Sequence, residues 1–385
     1  VRPICDQLIA SVAGAPASEI EVGDIAWSNE LTLHVLEIKT NGPAPSLRGL
    51  EERFHESVLH AERVLGPLGA RLLPGAMHPW MDPSRETKLW PHEYTEVYHA
   101  YDRIFGCSGH GWANLQSTHI NLPFSSDDEF SRLHAAIRIA LPLIPALAAA
   151  SPFQDGGIGP ALDSRLVAYR GNARRIPSVA GQIVPEHAST RLDYERDILG
   201  RIYADLAPHD PEGILRHEWA NARGAIARFD RGAIEIRIID SQECPAADLA
   251  VVGAVAGLVR SLAAGRLSAR DTSRDPSTEA LAAVLDDAVQ RGEEAEVRNS
   301  EILRTLGVRR DSIALRALWR ELIDADPPDD LLGANGSVLS TILDSGPLAR
   351  RLLRASGSEP TRDDLRRIAK VLCQCLVENT PFPEG

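Results

Sequence analysis

The sequence predicts an α+β fold, with an antiparallel sheet in the first two-thirds of the chain and helices through the last third. Two observations carry this. Strand-like segments cluster before Asp240 and never alternate regularly with helices, as a doubly wound parallel sheet would require. From Thr278 to about Asn379 the apolar spacing is almost wholly helical. With 385 residues, 44% hydrophobic and 25% charged, the chain has ordinary globular composition and ample length for a buried core.

The elements follow in order. Residues 6–14 read as a short helix and Leu31–Lys39 as a strand. Leu50–Leu65 is an amphipathic helix, with Leu50, Phe54, Val58, Ala61 and Leu65 on one stripe. Arg71–Leu73 reads as a strand running into a proline-rich loop, Pro74 to Pro91, and Tyr94–Phe105 as a helix. Asn114–Leu122 is a strand. Ser126 then caps a helix across Glu129–Leu141, whose acidic first turn suits the helix dipole. Residues 151–187 are loop-rich; helices are expected at 191–206 and, after Asp210-Pro211, at 212–221. The strand 233–240 and the apolar helix 246–264, opened by Pro245, close this part. Arg270–Thr278 is the best linker, which predicts a catalytic α+β domain over 1–268 and a helical region over 279–385.

A net charge of −13 argues against nucleic acid and anionic membrane surfaces as partners. Leu141–Ala150 is too short to span a bilayer and contains Pro142 and Pro145. No basic segment followed by an apolar one opens the chain. Five scattered cysteines make no disulfide framework, so reducing cytoplasm is the expected setting. Val1-Arg-Pro-Ile-Cys reads as the middle of a sequence, so a front segment is expected to be missing or processed away. The helical C-terminal third offers surface for a homo-oligomer.

Three stretches place metal- or phosphate-binding types on one strand face. In 233–240, Ile234, Ile236 and Ile238 point one way, while Glu235 and Arg237 point the other. Ser117, His119 and Asn121 share a face of the second strand, and Glu37 shares one with Leu33, Val35 and Lys39. Glu30, seven positions before Glu37, joins that site only from a loop or past a bulge. Arg223, Arg228 and Arg231, just ahead of Arg237, suggest an anion pocket. Each feature has a plainer alternative: a rim carboxylate, a hydrogen-bonded histidine, or arginines in salt bridges. Arg165 and Arg170 could clamp a carboxylate from a lid, with His78 of Met77–Trp80 as a loop wall. Cys107 and His110 hint at a thiol nucleophile, but no third residue can be placed. Cys373 and Cys375 read as core, and no Walker or dinucleotide fingerprint is present.

Leu36-Glu-Ile-Lys-Thr, Gly75-Ala-Met-His-Pro-Trp, Gln116-Ser-Thr-His-Ile-Asn, Ser151-Pro-Phe, Ser164-Arg with Tyr169-Arg170, and Ile234-Glu-Ile-Arg-Ile-Ile-Asp occur in an order that resembles the type 2 glutamate–cysteine ligases. Trp90-Pro-His-Glu-Tyr and Gly109-His-Gly-Trp-Ala-Asn-Leu-Gln-Ser are similar to a bacterial branch of that family. The resemblance implies a glutamine-synthetase-like sheet curled into a half-funnel, holding ATP and Mg2+ at its concave face. It implies Glu37, His119 and Glu235 as metal ligands, with Glu30 a further candidate beside them, and Arg237 and Arg170 as catalytic phosphate or substrate contacts. Arg228, Arg231 and Asn121 would then bind the nucleotide, and Arg165, Tyr169 and His78 an amino-acid-like substrate. The implied reaction activates a carboxylate as an acyl phosphate that an amine attacks. Members of the family begin with a strand carrying Gly-x-Glu-x-Glu. That strand is absent from this sequence, so the metal site is expected to be incomplete, and a non-catalytic nucleotide- or amino-acid-binding protein is the alternative.

Overall fold

A computed structural model describes residues 1–267 and 275–383. Eight strands matter for the site: β1 (Glu19–Val22), β2 (Ile25–Asn29), β3 (Leu36–Thr40), β4 (Ser117–Pro123), β5 (Phe153–Gln154), β6 (Gly157–Ile158), β7 (Ala225–Arg228) and β8 (Ala233–Asp240). They form two three-stranded antiparallel sheets, ordered β1–β2–β3 and β4–β8–β7, with β5–β6 as a separate ribbon. The fold is α+β, and its C-terminal region is helical.

The first sheet begins with a tight hairpin. Val22 pairs with Ile25 across Gly23-Asp24, and Gly23 takes a φ of 67°, a conformation glycine adopts without penalty. Ile20, Trp27, Leu36 and Ile38 pack onto Leu8 of helix Cys5–Ala13 and Ala61 and Leu65 of helix Leu50–Leu65. The opposite face is polar, because Ser28 lies across from both Glu19 and Glu37.

This hairpin corrects the expected strand Leu31–Lys39. Asn29 pairs with Leu36, so residues 30–35 are consumed in reversing the chain, with Val35 N–H donating to Thr32 O at 3.2 Å. Leu33 and Val35 therefore share no strand face with Glu37. Arg71–Leu73 is not a strand either: Leu72 spends its N–H on the Glu62 carboxylate and its carbonyl on the Cys373 thiol. The expected helix 212–221 shrinks to a single turn, Glu218–Ala220. Asp210 accepts from the N–H groups of Ile214 and Leu215, and Gly213 at φ 75° breaks the helical path. Conversely, a helix, Ser164–Gly171, stands in the loop-rich segment, capped by Asp163 accepting from Leu166 N–H at 2.8 Å.

Behind the second sheet, Ile120, Ile234 and Ile236 enter a core shared with helices Asp127–Ala140 and Pro245–Ala263. The latter is long and apolar enough to cross a membrane, but 72% of its most apolar window is buried inside the protein. The same core takes in Leu281, Leu285, Trp319 and Ile342, and Trp319 Nε1 donates to Leu143 O at 2.9 Å. Arg351 and Glu243, both wholly buried, pair at 2.6 Å and fasten the C-terminal helices just beyond β8. Of the expected linker, residues 270–274 lie outside the described residues. Asp275 pairs with Arg138 and His187, and Ser277 caps helix Thr278–Arg291.

Candidate active site

The site is organised by a bulge in β8. Thr118 pairs with Ile239 and Ile120 with Ile236, so Arg237 and Ile238 together stand opposite the single residue His119. Arg237 N–H donates to Gly224 O at 2.9 Å. Gly224 must be glycine, because a Cβ there would fall 2.8 Å from Ile238 Cγ2 and 3.1 Å from Ile183 Cγ2. Below the bulge Asn121 faces Glu235; above it Ser117 faces Asp240. Alternation counted from Ile234 alone would have put Asp240 among the isoleucines, and the extra residue turns it to the site face.

Glu235 is the hub. Its side chain, 7% exposed, lies 3.0 Å from Arg237 Nε and 3.6 Å from both Arg228 Nη1 and His119 Nδ1. Desolvation opposes its charge, but Arg237, His119, Arg228 and Arg231 together hold the carboxyl below its usual range. His119 Nε2 sits 2.8 Å from Ser117 Oγ. Desolvation drives His119 down to about 4, against the pull of Glu235 and Glu37. Its side chain nonetheless stays 31% exposed, as suits a neutral imidazole on an open wall. Arg237 is kept firmly protonated by Tyr169, Glu235, Tyr101 and Glu30 in spite of its burial.

From the first sheet, Glu37 accepts from Ser28 Oγ and from Lys39 Nζ at 3.1 Å. Glu30, at the end of β2 rather than on β3, is pushed up to about 7 by desolvation and the Glu37 charge, with Arg237 and Lys39 pulling the other way. Glu37 and Arg237 thus act on both Glu30 and His119, which links the two sheets electrostatically. Asn121 is exposed beside Glu235. Among the described residues, no three His, Cys, Asp or Glu side chains stand close enough to cage a metal ion.

Several expected contacts are engaged elsewhere. Arg165, 2% exposed, is an internal partner of Asp240, which also accepts from Ala150 N–H and Ser151 Oγ at 2.8 Å. Arg170 points to Asp286 on helix Thr278–Arg291. Arg223 is buried in a two-pronged bond to Glu186 at 2.6 and 2.8 Å. Arg228 spans Glu235 and Asp230, so it holds Glu235 in place rather than facing outward. His78 sits in a loop edge-on to Trp80, 4.8 Å between ring centres, and desolvation takes it down to about 4. Burial pushes the Cys107 thiol up to about 12 and His110 pairs with Asp155 at 2.9 Å, so no thiol–imidazole pair forms. Arg231 is exposed; its N–H donates to Arg228 O at 3.0 Å, and its side chain makes no hydrogen bond or ion pair among the described residues. Tyr169 lies beside Arg237 with its buried hydroxyl unpartnered. Tyr98 and Tyr101, which sequence reasoning passed over, join them from helix Thr95–Phe105. Their i, i+3 spacing showed a common face, but nothing showed that this face meets β8.

Residues 7–370 match the glutamate-cysteine ligase family 2. The chain belongs to that family. An uncharacterized protein of Archaeoglobus fulgidus is 37% identical over 259 residues, 67% of this chain and 69% of the relative. Membership in the glutamate-cysteine ligase family 2 points to a ligase-like enzyme, and Glu30 through Arg237 all lie inside the matched span.

Proposed function

We propose that this chain is an ATP- and magnesium-dependent carboxylate–amine ligase. The observation that supports the reading is the contact of His119, Glu235 and Arg237 on the paired strands β4 and β8, with the Glu37 charge of the first sheet acting on His119. The donor types suit a hard divalent cation, although among the described residues they are not gathered into a cage. Glu30 is a carboxyl destabilised by a like charge, Glu37 adds oxygen donors, and His119 is a neutral imidazole. Glu30, Glu37, His119 and Glu235 would hold magnesium, Arg231 and Asn121 would face the nucleotide, and Arg237 would contact the carboxylate being activated and the phosphoryl group it receives. Bound ATP would supply the phosphoryl group that makes a carboxylate electrophilic toward an amine.

The chain's own residues then have defined tasks. Arg237 is aimed by Glu235 and by a 3.1 Å bond from its Nη1 to Asn221 O, which leaves Nη2 for an anion. Arg228 fixes Glu235, and Asp240 with Arg165 braces the strand end behind His119. An activated acyl group requires no protein nucleophile, in keeping with the inert Cys107. Incubation with ATP, magnesium and amino-acid pairs should release ADP only when acid and amine are both present. ADP release indifferent to either partner, or none with any pair, counts against the reading.

One observation favours a second reading, a non-catalytic binder on the same scaffold. Glu235 and Glu37 already pair with Arg237 and Lys39, and no three metal-binding side chains form a ready cage among the described residues. Calorimetry separates the two: a binder takes up ATP–magnesium or an amino acid and turns nothing over.

A further inference from the structure

Four aromatic side chains come from four segments: Trp112 and Trp219 pack on Tyr101, and Tyr101 and Tyr169 act on the Arg237 charge. Tyr101 comes from helix Thr95–Phe105, Trp112 from the short helix His110–Ala113, Tyr169 from helix Ser164–Gly171 and Trp219 from the turn Glu218–Ala220. The Tyr101 ring lies 5.1 Å from Trp112 and 5.9 Å from Trp219, both tilted, while Trp112 stacks on Phe105 at 5.6 Å and Trp219 on His217 at 5.3 Å; all four residues are half-buried. Trp219 is two residues from Asn221, whose carbonyl holds Arg237. Tyr169 and Tyr101 both act on the Arg237 charge.

Ordinary core packing leaves part of this unexplained. Buried indole N–H and phenol O–H groups usually find partners, and leaving one unmet is costly. Here Trp112 Nε1 and Tyr169 Oη are both buried without a partner. Arg237 Nη2 makes no hydrogen bond either. Every one of these unmet groups can donate, so their complement is an acceptor-only anion, and flat aromatic walls complement a flat ring.

We propose that this is a subsite for a planar aromatic carboxylate. Its ring lies against the outer side of the Tyr101, Trp112 and Trp219 cluster, and its carboxylate meets Arg237 Nη2 and Tyr169 Oη. The inference deepens the ligase reading by naming the class of acid, and rests on it in taking Arg237 as the acid's partner.

Titration of the full chain with phenylacetate, without nucleotide or magnesium, tests it through tryptophan emission. A saturable change is expected that Trp112→Phe and Trp219→Phe each reduce. Tyr169→Phe, which removes only an unpartnered hydroxyl, should weaken binding at least fivefold with an unchanged circular dichroism spectrum. Cyclohexylacetate, equal in charge but not flat, should bind at least tenfold more weakly. No saturable response, equal binding of cyclohexylacetate, or displacement of phenylacetate by adenosine overturns the proposal. Parallel ADP-release assays keep the two readings apart. Phenylacetate binding without acid-dependent ADP release sinks the ligase reading alone, whereas turnover of other acids without phenylacetate binding sinks the subsite alone.

Discussion

Acidification from pH 8 to pH 5 should remove about 2 kcal/mol of folding stability through one residue, His134. Its ring is 1% exposed on helix Asp127–Ala140, stacked 5.4 Å from Phe130 and edge-on to Tyr194 at 5.7 Å. Neither ring nitrogen has a hydrogen-bond partner. Desolvation, with a smaller push from Arg138, takes it down to about 3. The unfolded chain binds a proton near pH 6.5, whereas the folded chain resists until about pH 3. Stability from this residue is therefore intact above pH 6.5 and is lost as the pH falls through that window. At pH 5, about 1.5 units below the unfolded value at about 1.36 kcal/mol per unit, the loss is about 2 kcal/mol. Urea denaturation of the protein and of His134→Leu at both pH values isolates the term from other titrating groups. The variant should lose about 2 kcal/mol less than the parent on acidification. Equal losses in the two proteins would refute the assignment of a neutral, unpartnered imidazole.

Glu235→Gln should lower stability by about 2–3 kcal/mol, since Arg228 and Arg237 lose their shared counter-charge, and should weaken magnesium binding; calorimetry and urea denaturation read the two effects. The same change removes a charge that favours protonated His119, so its NMR titration should move further down. Arg237→Lys should cut turnover by about 10–100-fold at preserved stability, because an ammonium cannot donate to Glu235, Asn221 and an anion from one planar fork. Cys107→Ala should leave turnover within about twofold while lowering stability by about 1 kcal/mol, and a larger loss of activity would revive a thiol mechanism.

The strand Ala233–Asp240, the helix Leu50–Leu65 and the cap at Ser126 were legible because their signals are local: alternation of isoleucines, an apolar stripe, a serine before three acids. The polar face of β4 was legible for the same reason. The first sheet was not. β1 and β2 have only 4 and 5 residues, and the apolar run Leu31–Val35 that mimicked a strand is the connection between two others. Register also lies beyond alternation: the bulge opposite His119 brings Asp240 to the site face and places its partner Arg165 inside. Arginines mislead for a related reason. In a chain with more acidic than basic residues most find carboxylates, so Arg165, Arg170, Arg223 and Arg228 are spent on Asp240, Asp286, Glu186 and Glu235.

In the proposed reaction a carboxylate is activated by phosphoryl transfer beside Arg237 before an amine attacks it. Supplying the acid with both carboxylate oxygens labelled as oxygen-18, together with ATP, magnesium and an amine, follows those atoms directly. Transfer through an acyl phosphate predicts one labelled oxygen in each inorganic phosphate released, visible as a shifted phosphorus resonance. Phosphate released in step with amide but free of label would contradict the account.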